Sequence, residues 1–301
     1  MKKLFLFFID GIGLGDDIHD NPVRTLFASV TGNTSLVETG TPLFFDGGVI
    51  VPVDACLGIE GIPQSATGQA TIFTGVNASK FLGYHLTAIP NEKLVDLIKE
   101  KSLMKALKEI GVRVTSANLY SKEFFEKRGN KRRNKFPVST LTIQASEARF
   151  RYIDDYFNGK AVFADITNRM IRKRGYDIEI ITPGRAADNM LRIIDDFQFV
   201  FFEYFMTDVY GHKQDSVSLK ESIEILSEFM ERVLGGIDTE ETSVLVISDH
   251  GNAEDPSTPE HTLNKVPAIL FSGDRGLVND FAESISSLED IYPWVLKYFE
   301  E

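Results

Sequence analysis

The sequence lacks the features that mark secreted and membrane-spanning proteins. Its 301 residues include one cysteine, Cys56, so no internal disulfide can form. No apolar run approaches the roughly 20 residues that span a bilayer. The run near the start, in MKKLFLFFIDG, is short, is interrupted by Asp10 and is followed by no small-residue cleavage site. We therefore expect a soluble, cytoplasmic protein with no membrane partner.

Basic residues are also few. The 44 Asp and Glu exceed the 32 Lys and Arg, and the net charge of −12 disfavours a nucleic-acid partner, because phosphate neutralisation requires a basic surface. Residues 121–185 are the exception, with 15 Lys and Arg against 8 Asp and Glu. Their densest part, KRGNKRRNK at 127–135, is typical of a solvated loop. We predict a small basic cap at 121–185, inserted into an acidic core of residues 1–120 and 186–301.

Apolar runs alternate with helical patterns along the chain. The runs predicted as buried strands are 3–10, 112–119, 198–208, 243–249 and 266–273. Helical spacing of apolar residues appears at 94–111 and 216–236, and both segments end in glycine. This alternation predicts an α/β protein, a three-layer α/β/α sandwich with a mostly parallel sheet covered on both faces.

Aspartates and histidines follow several of the apolar runs. The set is Asp10, Asp208, His212, Asp249, His250 and His261. The carboxyl ends of parallel strands meet at one edge of a sheet, so we expect these side chains to lie together. Asp208 and His212 are four residues apart, a spacing that places both on one side of a helical turn. Mixed Asp/His ligands suit Zn²⁺ or Mn²⁺, and six ligands are enough for two ions.

The segment PQSATGQATIFTG, residues 63–75, contains the candidate reacting group. Ser65 and Thr67 stand at the start of a turn that leads into an expected helix, where backbone N–H groups can bind an anion. A hydroxyl is a weak nucleophile, but coordination to a divalent ion lowers its pKa, and a second ion can stabilise the leaving oxygen. Such residues are more often helix caps, so this segment alone leaves both interpretations open.

Five motifs, in their order along the chain, resemble the alkaline phosphatase superfamily. They are FFIDGIGLG, PQSATGQATIFTG, DVYGH, SDHGN and HTLNKVP. The greatest similarity is to the branch of cofactor-independent phosphoglycerate mutases and phosphopentomutases, and it covers residues 1–80 and 195–275. The resemblance implies an alkaline phosphatase-like fold and two divalent metal ions. It implies one metal held by Asp10, Ser65, Asp249 and His250, and a second held by Asp208, His212 and His261, with Ser65 as the nucleophile and Thr67 as a turn residue.

The expected reaction is hydrolysis of a small anionic phosphoester through a phosphoserine intermediate. An intramolecular phosphomutase is the main alternative, although the chain is too short for the long second domain of the large phosphoglycerate mutases. A metal-bound binding protein without turnover is a third possibility. A sulfatase is disfavoured because SATGQ lacks the Pro and Arg of the Cys/Ser-x-Pro-x-Arg motif. The sequence does not determine the substrate, the choice between Zn and Mn, or the oligomeric state.

Several further residues have more than one interpretation. Gly11, Gly13 and Gly15 do not match the G-x-G-x-x-G dinucleotide fingerprint, and we interpret them as allowing backbone to pass close to the metals. His85 is interpreted as a packed, hydrogen-bonded residue. The arginines that could reach the cleft from the cap are Arg151, Arg169, Arg172 and Arg174, and no spacing selects among them.

Overall fold

The computed structural model of the chain describes residues 2–15, 21–32, 40–129 and 136–300. The strands within these ranges are β1 (Lys3–Ile9), β2 (Leu43–Phe45), β3 (Gly48–Val53), β4 (Val114–Ser116), β5 (Phe199–Tyr204), β6 (Thr242–Ile247) and β7 (Val266–Phe271). The helices are α1 (Val23–Thr31), α2 (Ser65–Thr74), α3 (Ala78–Leu82), α4 (Glu92–Lys101), α5 (Leu103–Glu109), α6 (Lys122–Gly129), α7 (Val138–Ala145), α8 (Ile153–Phe157), α9 (Arg169–Lys173), α10 (Pro183–Asp196), α11 (Met206–His212), α12 (Ser216–Leu234), α13 (Arg275–Ser284) and α14 (Ile291–Glu300), with a 3-10 turn at Leu288–Asp290.

The strands form one mixed sheet in the order β2-β3-β7-β6-β1-β5-β4. Strands β6, β1, β5 and β4 are parallel, and β1 lies between β6 and β5. The other part of the sheet is antiparallel, including the pair β6 and β7. β7 therefore differs from the parallel strand expected at 266–273. The chain between β6 and β7 contains no helix that could cross the sheet, so it turns and returns beside β6.

Both faces of the sheet are covered by helices, which confirms the predicted α/β sandwich. Alternate residues of β1 face opposite layers: Leu4, Leu6 and Phe8 join one buried apolar cluster, while Phe5, Phe7 and Ile9 join the other. The first cluster includes residues of α2, α4, α5, α7 and α14. The second includes residues of α1, α10 and α12. Burial on both faces explains why β1 is an almost continuous apolar run.

One predicted helix is divided in two. The segment 94–111 forms α4 and α5, which are separated at Ser102, where the backbone is extended with ψ 128°. The buried Ser102 hydroxyl donates to the carbonyl oxygen of Thr142, 2.9 Å away. It also accepts from the backbone N–H of Lys105 at 3.4 Å, so Ser102 caps α5.

Residues 121–185 contain α6 to α9 and the start of α10. Val138 and Leu141 of α7 belong to the apolar cluster that also contains α2 and α4. A separate small cluster contains Phe163 and Ile171. The division into core and cap stays a prediction, and residues 130–135 of the basic run lie outside the described residues. In the described part of the chain, no helix has the length and apolar character needed to cross a membrane.

We predict that Phe7→Ala lowers the free energy of unfolding by about 3 to 5 kcal/mol, because it removes a fully buried ring from the centre of the sheet. The Phe7 ring lies 5.4 Å from that of Phe202 and 5.7 Å from that of Phe229. The measurement is urea denaturation. Phe157 is 65% exposed, so the same substitution there is the control, with an expected change within about 0.5 kcal/mol. Equal losses in both variants would contradict the assigned core.

Candidate metal centre

Three adjacent strands bring the predicted aspartates to one edge of the sheet. Asp10 follows β1, Asp249 follows β6, and Asp208 lies in α11, directly after β5. The backbone N–H of Asp10 donates to the carbonyl oxygen of Tyr204 at 2.9 Å. The Thr207 hydroxyl donates to the carbonyl oxygen of Asp10 at 2.5 Å. The parallel order β6-β1-β5 therefore produces the expected meeting of these side chains.

The first cluster contains Asp10, Asp249 and His250, whose potential ligand atoms all lie within 4.8 Å of one another. His250 Nε2 is 3.2 Å from Asp10 Oδ1 and 3.6 Å from Asp249 Oδ2. The hydroxyl oxygen of Ser65 is 3.0 Å from the same nitrogen. The structure thus brings together the four residues predicted to share one metal.

The second cluster contains Asp208, His212 and His261. Asp208 Oδ1 is 3.2 Å from His212 Nε2, as the helical spacing predicts, and 3.5 Å from His261 Nε2. An antiparallel bridge between Gly251 and Thr262 folds the loop after β6 back on itself. It stacks the rings of His250 and His261 with centroids 3.6 Å apart, so the two clusters are adjacent.

Backbone carbonyl oxygens orient all three histidines. The Nδ1 atoms of His212 and His261 lie 2.6 Å and 2.8 Å from the carbonyl oxygens of Pro259 and Pro63, and His250 Nδ1 lies 3.4 Å from that of Gly251. A carbonyl oxygen requires a donor, so we assign a proton to each Nδ1, and Nε2 is the ring atom that faces a cluster and can bind a metal there once it is unprotonated. The Nε2 atoms of His212 and His261 are 3.0 Å apart. Two unprotonated nitrogens at this distance repel unless a cation lies between them.

Three buried carboxylate oxygens in the clusters have no hydrogen-bond donor among the described residues apart from the facing histidine nitrogens. They are Oδ1 of Asp10, Asp208 and Asp249. Burial, with the charges of Asp249 and Asp208, raises the pKa of Asp10 to about 7. Burial lowers the pKa of His250, but the negative charges of Asp249 and Asp10 outweigh this effect and raise it to about 10. The clusters therefore attract positive charge, and their mixed oxygen and nitrogen donors fit two divalent ions.

Ser65 is the first residue of α2, and a close contact holds this end of the helix near the clusters. A Cβ atom on Gly68 would lie 2.9 Å from Asp249 Cβ and 2.7 Å from its carbonyl oxygen, so only glycine permits this approach. Thr67 lies in the first helical turn rather than in a preceding turn, and its hydroxyl donates to the carbonyl oxygen of Gln64 at 3.1 Å. The Ala66 N–H at this end of the helix donates to the carbonyl oxygen of Leu86 at 3.1 Å.

Two functional candidates beside the clusters were not predicted from the sequence. Gln69 Nε2 donates to Asp10 Oδ2 at 3.3 Å and to Asp249 Oδ2 at 3.1 Å, which leaves the other oxygens free. Gln69 lies four residues after Ser65 on α2, so helical spacing was the signal that could have identified it. Glu203 accepts from the Ser139 hydroxyl at 2.9 Å, and burial together with the charge of Asp10 raises its pKa to about 7.

A third unpredicted residue, the buried Glu254, joins two loops of the centre, the one after β1 and the one between β6 and β7. Its Oε2 accepts from the backbone N–H groups of Gly13 and Asn252, each at 2.8 Å. Its Oε1 accepts from the Thr262 hydroxyl and from Asn264 Nδ2. A Cβ on Gly13 would lie 2.2 Å from Oε1. This glycine makes room for the Glu254 carboxylate rather than for a metal, which corrects the interpretation made from the sequence.

The remaining candidates are separated by their contacts. His85 lies between the Ser79 hydroxyl and the carbonyl oxygen of Ile59, as expected of a packed histidine. Among the four arginines, Arg174 lines a cavity of about 460 Å³ together with Asp10, Ser65 and Asp208. The other three are bound elsewhere: Arg151 to Ser116 and Lys160, Arg169 to Glu221, and Arg172 to Ile178.

The whole described chain matches a known family. A family model described as the Metalloenzyme superfamily matches residues 2–300. The 2,3-bisphosphoglycerate-independent phosphoglycerate mutase of Antithamnion sp. is 27% identical over 166 residues, which is 50% of this chain and 32% of that protein. The enzyme of the same name from Coxiella burnetii (strain Dugway 5J108-111) is 28% identical over 131 residues, 40% of this chain and 24% of that protein. The chain thus matches no more than about a third of the length of either relative.

Solved structures share the fold. A Pyrococcus horikoshii protein superposes with a TM-score of 0.56 at 16% identity. The superposition covers 99% of this chain and 97% of the Pyrococcus chain. The alkaline phosphatase of the Antarctic bacterium TAB5 superposes with a TM-score of 0.54 at 13% identity. The superposition covers 99% of this chain and 98% of the phosphatase chain. At these identities the similarity concerns the fold alone.

We predict that divalent metal stabilises the protein more strongly as pH rises. The pKa of Asp10 is raised from 3.8 to about 7 and that of His250 from 6.5 to about 10. The metal-free folded chain therefore binds more protons than the unfolded chain over these windows, and it loses stability as pH rises through them. Metal replaces those protons. The rise in Tm on adding Zn²⁺ or Mn²⁺ should be larger at about pH 8 than at about pH 6, and an equal or smaller rise at the higher pH would contradict this.

We predict that Glu254→Gln weakens metal binding by about tenfold to a hundredfold, because the loops that carry the ligands lose their shared acceptor. The measurement is competition with a chelator of known affinity. Glu260→Gln is the control, since it removes the same charge from the same loop at an exposed position. Equal affinities of the wild type and Glu254→Gln would show that Glu254 does not position the ligands.

Proposed function

We propose, on the premise that the chain belongs to the metalloenzyme superfamily, that it transfers phosphoryl groups at this centre. The match and the shared fold confirm the resemblance that the five motifs indicated. The observation that carries the proposal is the position of the Ser65 hydroxyl, 3.0 Å from His250 Nε2 and beside the buried carboxylates. A nucleophile at the edge of two adjacent ligand clusters is the arrangement that a two-metal phosphoryl transfer requires.

The residues would divide between holding metal and reacting. Asp10, Asp249 and His250, with Ser65, would hold one Zn²⁺ or Mn²⁺, and Asp208, His212 and His261 the other. Bound divalent ions supply the positive charge that lowers the pKa of a nearby hydroxyl and stabilises negative charge on phosphoryl oxygens. Gln69 holds Asp10 and Asp249 in place through its amide.

The proposed reaction has two steps. The Ser65 oxygen attacks phosphorus in line, and the bond from phosphorus to the alcohol oxygen of the substrate breaks as the bond to Ser65 forms. The serine proton passes to solvent, and the departing alcohol oxygen takes up a proton. Water then attacks the phosphoserine, which restores the Ser65 hydroxyl and releases inorganic phosphate.

The substrate we propose is a small anionic phosphoester. The cavity of about 460 Å³ that contains Ser65 accommodates a molecule of that size. The net charge of −12 supports a small-molecule substrate rather than a nucleic acid.

A phosphomutase is the second candidate, because both relatives described above are named as mutases. A mutase must keep water from the phosphoserine until the alcohol is rephosphorylated. Here the cavity is bordered by the exposed Arg174, and the His212 side chain is 44% exposed. Access of water to both sides of the centre supports hydrolysis.

We predict that Ser65→Ala lowers turnover of an aryl phosphate monoester by at least about a thousandfold, since it removes the nucleophile. Turnover should also vanish on chelation and return with Zn²⁺ or Mn²⁺. Thr67→Val is the matched control, because it removes the neighbouring hydroxyl from the same helical turn. Full turnover in Ser65→Ala would overturn the assignment.

Product analysis separates the candidate activities. Release of inorganic phosphate supports hydrolysis, whereas an isomeric phosphoester without free phosphate supports a mutase. Bound metal with no product from aryl monoesters, aryl diesters or phosphoglycerate would favour a binding protein without turnover.

A further inference from the structure

Part of the wall of the cavity is apolar. It is formed by Leu119, Phe124, Pro137, Phe163, Ala164 and Phe205, which we call the apolar wall. Leu119, Phe163 and Ala164 are buried, whereas Phe124 and Phe205 are half-buried. Aromatic and aliphatic surfaces of this kind gain more free energy by covering an apolar ligand than by covering a sugar or a glycerate, which present less apolar area.

Several polar side chains that line the same cavity already form hydrogen bonds within the protein. Asn118 exchanges two hydrogen bonds of 2.9 Å with the backbone of Glu203. The Ser121 hydroxyl accepts from the N–H of Phe124 at 3.2 Å. Thr140 and Tyr120 bond to each other at 3.4 Å. Recognition of a polyhydroxylated substrate requires several donors and acceptors, and these three contacts use part of the hydrogen-bonding capacity of the groups that would supply them.

Arg174 borders the cavity at its exposed end. Its guanidinium carbon lies 5.8 Å from the centre of the Phe163 ring, so the charged group lies over the apolar wall. Within the described ranges no acidic side chain forms an ion pair with it. Arg169, by contrast, pairs with Glu221. A guanidinium held on an aromatic ring can still offer two N–H donors to a carboxylate or phosphate.

The backbone that follows Phe163 and Ala164 of the apolar wall is strained and is held by hydrogen bonds. Ile166 has φ 64° and Asn168 has φ 67°, both in the left-handed region that β-branched residues rarely adopt. The Asp165 carboxylate accepts the N–H groups of Asn168 and Met170 at 2.8 Å and 2.6 Å. Strain maintained by such contacts is typical of pre-organised binding surfaces, and here it positions Phe163 and Ala164.

We propose that the cavity binds a phosphomonoester whose alcohol part is a flat apolar group carrying a second anion. The phosphoryl group lies at Ser65, the apolar group contacts the apolar wall, and the second anion pairs with Arg174. This inference rests on the proposed function for its phosphoryl end and names the substrate class of that reaction.

The test is binding of three phosphonates to the metal-loaded protein, measured by calorimetry. Phosphonates are not hydrolysed, so the result is independent of turnover. The probes are para-carboxybenzylphosphonate, benzylphosphonate and dihydroxybutylphosphonate. We expect the first to bind about tenfold more tightly than the second, and the second about tenfold more tightly than the third, because each step loses one ion pair or one apolar contact.

The matched variants are Arg174→Gln and Lys173→Gln, which remove one positive charge each from neighbouring exposed positions. Arg174→Gln should weaken the carboxybenzyl compound about tenfold and benzylphosphonate less than about twofold. Lys173→Gln should change neither. Equal weakening of both aromatic compounds by Arg174→Gln would overturn the proposal, since Arg174 would then bind the phosphoryl end.

The remaining outcomes separate this inference from the proposed function. Dihydroxybutylphosphonate binding as tightly as benzylphosphonate, or no binding by any probe, overturns the inference even if aryl phosphates are turned over. The expected order of affinities in a protein that turns over no phosphoester would uphold this ligand class and overturn the proposed function.

Discussion

The mutual repulsion of three closely placed carboxylates is the constraint on which this centre depends. Asp10, Asp208 and Asp249 follow three adjacent strands, and each has a buried oxygen to which no described residue other than a facing histidine could donate a hydrogen bond. Such groups are costly to bury unless positive charge compensates them. The raised pKa values of Asp10 and His250 show that protons compensate this charge in the metal-free chain, and the three Nε2 atoms that face the clusters could bind metal in place of those protons.

Close packing between loops and helices holds the three carboxylates near one another. Gly68 allows α2 to lie against Asp249, and Gly211 does the same for α11, since a Cβ there would lie 1.7 Å from Asn252 Oδ1. Glu254 then ties the loop after β1 to the loop that carries His250 and His261. The ligands are thus positioned by backbone contacts between motifs that are distant in sequence, and a single methyl group at these glycines would separate them.

The groups proposed to react with the phosphoester and the groups proposed to bind the rest of the substrate lie on different elements. The sheet edge and α2 carry the groups that would hold metal and attack phosphorus, while Arg174 and all of the apolar wall except Phe205 lie between residues 119 and 174. The chain as a whole shares its fold with an alkaline phosphatase, and half of its length is similar in sequence to a mutase. The apolar wall has an aromatic character that suits an apolar group better than a glycerate or a sugar. The proposed reaction and the proposed choice of substrate therefore depend on separate groups, as is common when one fold serves several functions.

The sequence by itself determined the sandwich, the strands that end at the centre, and the seven candidate site residues. Strand burial, helical spacing and motif order are local properties, so Asp208 and His212 could be paired from their separation of four residues. Tertiary structure decided the direction of β7, the division of the helix at Ser102, and the roles of Gln69, Glu254 and Arg174. Each of these depends on which distant group a side chain or backbone segment meets: Thr142 for Ser102, Gly13 for Glu254, and Phe163 for Arg174. Local sequence patterns contain no information about such contacts, because packing between distant segments establishes them only when the chain folds.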